Sequence, residues 1–157
     1  MGASGWVYRV PFQTRVADAL ISLQERVLAS GEYYWDEEHK GPRPSSRERL
    51  AEVKADEDFW SWGTRSILDM ERVVPGSSFG DGTIYPLAAR EIRERLGSDY
   101  PTPADFDAAY RAAVEASDHD PQSETTLGNS RRWSGRCTIL YDGYRPCEFV
   151  FWGSSGN

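Results

Sequence analysis

The apolar positions of this chain fall into two periodicities. Val16, Leu20, Leu23 and Val27 recur every three or four residues, and Ile21 and Leu28 widen the stripe. That spacing predicts an amphipathic helix from Thr14 as N-cap to Ser30, stopped by Gly31. Elsewhere the period is two. Trp6, Tyr8 and Val10 alternate with Val7 and Arg9, which predicts a strand ended by Pro11. The tail carries the strongest signal. Cys137–Tyr141 and Cys147–Trp152 are β-branched and aromatic runs separated by Asp142-Gly143, so Arg136–Trp152 reads as a β-hairpin. Two such strands cannot stand alone in water, so the rest of the chain must cover them.

Between these ends the signals are shorter. Ser45-x-x-Glu48 has the form of a capping box and predicts a helix to about Lys54. Thr64–Val74 alternates apolar and charged positions and reads as a strand. Thr83–Tyr85 reads as a brief one. Helices are predicted over Leu87–Leu96, before Gly97, and from Thr102-Pro103 to about Ser117. Helices do not alternate one-to-one with strands, and the hairpin demands antiparallel pairing. The expectation is an α+β fold: an antiparallel or mixed sheet with a C-terminal β-hairpin and helices packed on one face. A chain of 157 residues fits a single domain, 1–157, with an irregular insertion at about 32–63 and a polar loop at about 118–134.

Composition narrows the function classes. Aromatics make up 13% of the chain, which argues against disorder. The net charge is −7, which disfavours double-stranded nucleic acid and anionic membrane as partners. No long apolar run or charged-then-apolar leader predicts a membrane span or export. A two-residue Asp142-Gly143 turn would set Cys137 opposite Glu148 and Cys147 opposite Thr138. The thiols would then lie on opposite faces, free, as in a reducing compartment.

Candidate chemistry is sparse. Asp118-His119-Asp120 is the only histidine flanked by carboxylates, and two histidines exclude three-His zinc ligation. Neither a metal nor a cofactor is expected. The Gly76–Gly82 loop lacks the lysine of a phosphate loop. Asp69 and Glu71, with Glu148 from the hairpin, could line one sheet face as acid/base carboxylates. Arg131, Arg132 and Arg136 surround Trp133, and Arg65 could join them to hold an anion or a nucleotide. The least ordinary feature sets Trp35, Asp36, Glu37 and Glu38 with Asp58, Trp60 and Trp62. Indoles among carboxylates suit the recognition of a basic protein, the rings as anchors and the acids as steering charge.

The opening Gly5–Pro11, the segment Ser66–Asp69, and Trp133–Arg136 with the ending Phe151–Gly153 resemble a set of small single-domain actinobacterial proteins without an assigned activity. The resemblance spans most of the chain. It implies a bacterial, cytoplasmic protein and transfers no site residue. The leading expectation is an acidic protein-interaction module in the manner of an immunity or antitoxin protein. The alternative is a small-ligand or nucleotide-binding enzyme that uses the arginines and strand carboxylates.

Overall fold

A computed structural model describes residues 4–75, 80–119, 127 and 131–156. The aromatic tail runs through the middle of the structure. Strand β4 (Ser134–Asp142) turns into β5 (Arg145–Ser155), and β5 pairs on its other side with β1 (Ser4–Pro11). Both pairings are antiparallel. The short strands β3 (Thr83–Pro86) and β2 (Arg72–Val73) continue the sheet beyond β4 in parallel. The order is β1-β5-β4-β3-β2, a mixed sheet with the C-terminal hairpin inside it.

The α+β class therefore stands, but helices cover both faces of the sheet, not one. The reason lies in β5. Phe149 and Phe151 share a face with Val10, Cys137 and Ile139, and there they meet α1 (Val16–Ser30) through Leu20, Leu23 and Val27. Val150 and Trp152 point the other way. They pack with Leu140 against Leu96 of α5 (Ala89–Leu96) and Phe106 of α6 (Pro103–His119). A strand apolar on both faces needs a layer on each.

The hairpin also has a different register. Asp142 pairs with Arg145, so Gly143-Tyr144 forms the turn, with Gly143 at φ 64° in the first central position. A bulge follows: Tyr141 pairs with Pro146 and Leu140 with Glu148, leaving Cys147 as the extra residue. Pro146 has no N–H to give the ladder, which is where such a bulge belongs. Cys137 consequently faces Phe151, not Glu148. Both thiols are free, and burial pushes the pKa of Cys137 up to about 12.

The stretch read as a strand over Thr64–Val74 is mostly a turn. Ser66 accepts the Leu68 N–H, Ile67–Asp69 forms a 3-10 turn, and only Arg72–Val73 reaches the sheet. Side chains that satisfy the backbone locally here displace the ladder. The region at 32–63 holds three short helices: α2 (Glu37–Lys40), α3 (Arg47–Lys54) and α4 (Phe59–Trp62). The N-cap of α3 is Ser46, one residue past the expected Ser45. Residues 120–126 and 128–130 of the polar loop lie outside the described residues, and α6 extends to His119. Among the described residues, no helix is long and apolar enough to cross a membrane.

Candidate functional site

The functional interest gathers around α3. Ser46 caps it by accepting the Arg49 N–H, and Leu50 turns inward to the core beside α1. One long side of α3 carries Arg47, Leu50, Ala51 and Lys54. The other carries Arg49, Glu52 and Val53, with Asp56 just past its end. A cleft opens on each side.

The second of these clefts, about 460 Å³, lies between α2, α3 and α4. Glu52, Asp56 and Asp58 line it with His39, Arg49 and Trp62. The seven residues expected at a partner surface separate here. Trp35 is core: its indole donates to Gly41 O at 2.9 Å and meets the edge of Tyr33. Trp60 is half-buried, donates to Lys54 O at 3.1 Å and stands edge-on to Phe59 and Trp133. Trp62 is the exception, with 49% of its surface exposed at the rim of the cleft. Glu37, Glu38 and Asp58 face solvent. Asp36 caps α2, and its hydrogen bond from His39 at 2.7 Å holds its carboxyl below the usual range. The cleft thus keeps one indole anchor, with Asp56 and Asp58 beside an Arg49–Glu52 ion pair and Lys40.

The carboxylates expected on one sheet face do not meet. Asp69 is fully buried. It accepts the N–H groups of Thr64 (2.6 Å) and Arg65 (3.1 Å) and the hydroxyls of Thr64 (2.8 Å) and Ser155. Burial raises its pKa, and the Ser155 hydroxyl, the Thr64 N–H and hydroxyl, and the charge of Lys54 oppose the rise. Ser155 lies on the face of Phe149 and Phe151. Glu148 belongs to the opposite face, 3.8 Å from Arg9, and Glu71 is exposed. Asp69 is therefore a tie that joins the 64–69 turn to the last strand. It is sealed from solvent. Arg65 at φ 56° is held in this conformation by the tie.

The four arginines are likewise dispersed. Arg65 stacks 4.3 Å over Tyr34. Arg136 is buried and clamps β3 to α5, donating to Tyr85 O at 3.1 Å and to Glu91 at 2.8 Å. Its charge helps to hold Glu91 below the ordinary carboxylate range against the cost of partial burial. Arg65, Arg131 and Arg132 are exposed, but Arg65 is turned onto Tyr34. Asp120, the side chain of His119 and residues 76–79 lie outside the described residues. Among the described residues, no three His, Cys, Asp or Glu gather as a metal site.

The sequence reading overlooked the lysines. Sixteen of the 18 basic residues are arginine, and the two lysines are Lys40 and Lys54. Lys40 donates to Gly63 O at 2.9 Å, with its ammonium 5.2–5.5 Å from the ring centroids of Tyr34, Trp35 and Phe59. Lys54 is 9% exposed and donates to Met70 O at 3.0 Å. The pair thus holds both ends of the turn that Asp69 ties in the middle. Desolvation lowers both pKa values, that of Lys54 from 10.5 to about 8.

This has a measurable sign. Below pH 8 the folded protein carries a charged amine in a poorly solvated place. As pH rises from about 8 to 10.5, the folded amine is neutral while the unfolded one still holds its proton. The unfolded state binds more protons there, so this contribution to stability rises with pH. The wild-type protein should therefore gain about 3 kcal/mol relative to Lys54→Met across that window. Paired urea titrations at the two limits check it, and a constant difference would contradict it.

Comparison with protein families, with curated proteins and with solved structures finds no match to this chain.

Proposed function

We propose that this protein is an acidic interaction module, in the manner of an immunity or antitoxin protein, whose α2–α4 face binds a basic protein. The observation that carries the reading is Trp62. It is the half-exposed indole on a cleft that bears Asp56, Asp58 and an Arg49–Glu52 ion pair, in a chain of net charge −7. A large ring left in water beside carboxylates costs apolar exposure, and contact with a partner removes that exposure. Acids around the ring would speed the encounter with a basic surface and make it sensitive to salt. Glu37 and Glu38 on α2 extend the acidic field. The dispersal of Arg65 and Arg136 weighs against the anion-binding alternative, because each already has an internal partner.

Affinity capture from a lysate of the source cells tests this. The wild-type protein should retain one basic protein. Trp62→Ala should weaken that binding about 30-fold or more, as expected for a truncated aromatic anchor. Asp58→Lys should weaken it most at low salt. Full retention of that protein by both variants would remove this face from the interface.

A further inference from the structure

The cleft on the other side of α3 has a different chemistry. It encloses about 380 Å³ between α1, α3 and the turn into β2, within the size range of small-molecule sites. Its polar groups are Arg47 and Lys54 from α3, Gln24 from α1, and Glu71. Arg47 gives its Nε–H to Gln24 Oε1 at 3.1 Å, and Gln24 in turn donates to Met70 O at 2.8 Å and Ile67 O at 3.2 Å. The guanidinium is thus held by a buried amide. Neither Arg47 nor Lys54 forms an ion pair among the described residues. Two cations with no carboxylate at ion-pair distance therefore line one cavity of an acidic protein, and Asp69 and Glu71 act on Lys54 only from further off. One of them is a nucleophile in its neutral form, and Lys54 spends one N–H on Met70 O.

We propose that this cleft takes a small 2-oxo acid, its carboxylate on Arg47 and its carbonyl carbon on Lys54 Nζ, which forms an imine. The amine adds to the carbonyl to give a carbinolamine. The two hydrogens of the neutral amine then leave with the carbonyl oxygen as water, and a C=N bond replaces C=O. Glu71 lines the same cleft and relays the proton to the departing oxygen. The carboxylate requirement comes from the guanidinium fork, which matches two oxygens in one plane. No oxidant or metal enters the balance. This activity is independent of the α2–α4 face, because α3 stands between the two clefts.

The chain offers its own control. Its side-chain amines are Lys40 and Lys54. Wild-type protein is incubated with pyruvate and sodium cyanoborohydride, and the adducts are located by peptide mass spectrometry. Lys54 should be reduced to its secondary amine at least tenfold faster than Lys40, with saturation in pyruvate. The rate should climb with pH through about 8, as the neutral amine forms. Acetone, which lacks the carboxylate, should label Lys54 without saturation. Arg47→Gln should raise the half-saturating pyruvate concentration about tenfold while leaving the Lys54 adduct as the product. Labelling of Lys54 no faster than that of Lys40 overturns the proposal. An unchanged half-saturation in Arg47→Gln, with its native circular dichroism retained, overturns the assignment of a 2-oxo acid.

Discussion

Asp69→Ala should destabilise the fold by about 4 kcal/mol, because it strands buried donors that have nowhere else to turn. The carboxylate accepts four hydrogen bonds, from two backbone N–H groups and two hydroxyls, with none of its surface exposed. A methyl group satisfies none of them and leaves a cavity too. The loss extends beyond the site, since the same carboxylate joins the 64–69 turn to Ser155 on the central hairpin. Lys40 and Lys54 hold that turn at Gly63 and Met70, so loosening it also frees two partly desolvated amines. Asp69→Asn keeps the shape and one good acceptor, and should cost about half as much. Urea unfolding checks both: with a slope near 2 kcal/mol per molar, the Ala midpoint should fall by about 2 M. A shift within 0.5 M (about 1 kcal/mol at that slope) would show that the turn does not depend on the tie.

Gly153→Ala should cost about 3 kcal/mol or more for a reason that is purely steric. On β5, Gly153 lies between Trp6 of β1 and Gly135 of β4 in one row across the sheet. The Trp6 indole lies across both glycines. A methyl on Gly153 would press on the Ser134 carbonyl oxygen and stand 2.5 Å from Trp6 Cζ2. The oxygen belongs to the ladder and cannot retreat without breaking it. Gly135→Ala meets Trp6 at 2.7 Å and Trp152 O at 2.9 Å, so it should cost less. Adding Trp6→Phe should recover more of the loss for Gly135→Ala than for Gly153→Ala, since only the ring can be made smaller. A double-mutant cycle in urea measures this. Equal recovery would mean that the ring, and not the backbone oxygen, sets the limit.

The hairpin and the first helix were legible because their signals are local. Asp142-Gly143 between aromatic runs, and a stripe from Val16 to Val27, carry their own geometry. The register was not legible, because Pro146 removes one ladder donor and the bulge beside it shifts every pair beyond. The strand read over Thr64–Val74 failed for a related reason. Ser66 and Asp69 sit where side chains can take the backbone N–H groups, and the alternating pattern gives no weight to that competition. The second helical layer has a local signal of its own. Phe149-Val-Phe-Trp152 does not alternate at all, which marks a strand covered on both sides. Within the site, three indoles between residues 35 and 62 look alike in sequence. Only distant neighbours separate them: Trp133 covers Trp60, and Gly41 O takes the Trp35 indole, while Trp62 has no such cover. The lysines carried a plain numerical signal, two among 18 basic residues, but no spacing that marks a motif.

On the proposed function, a basic partner sits on the α2–α4 face with Trp62 at its centre. Hydroxyl-radical footprinting of the protein alone and with its captured partner reads this directly at single side chains. Oxidation of Trp62 should fall several-fold in the complex, together with protection of Glu37–Lys40, while Tyr144 at the tip of the hairpin keeps its rate. Unchanged oxidation of Trp62, with protection confined to α5, α6 or the hairpin tip, would contradict it.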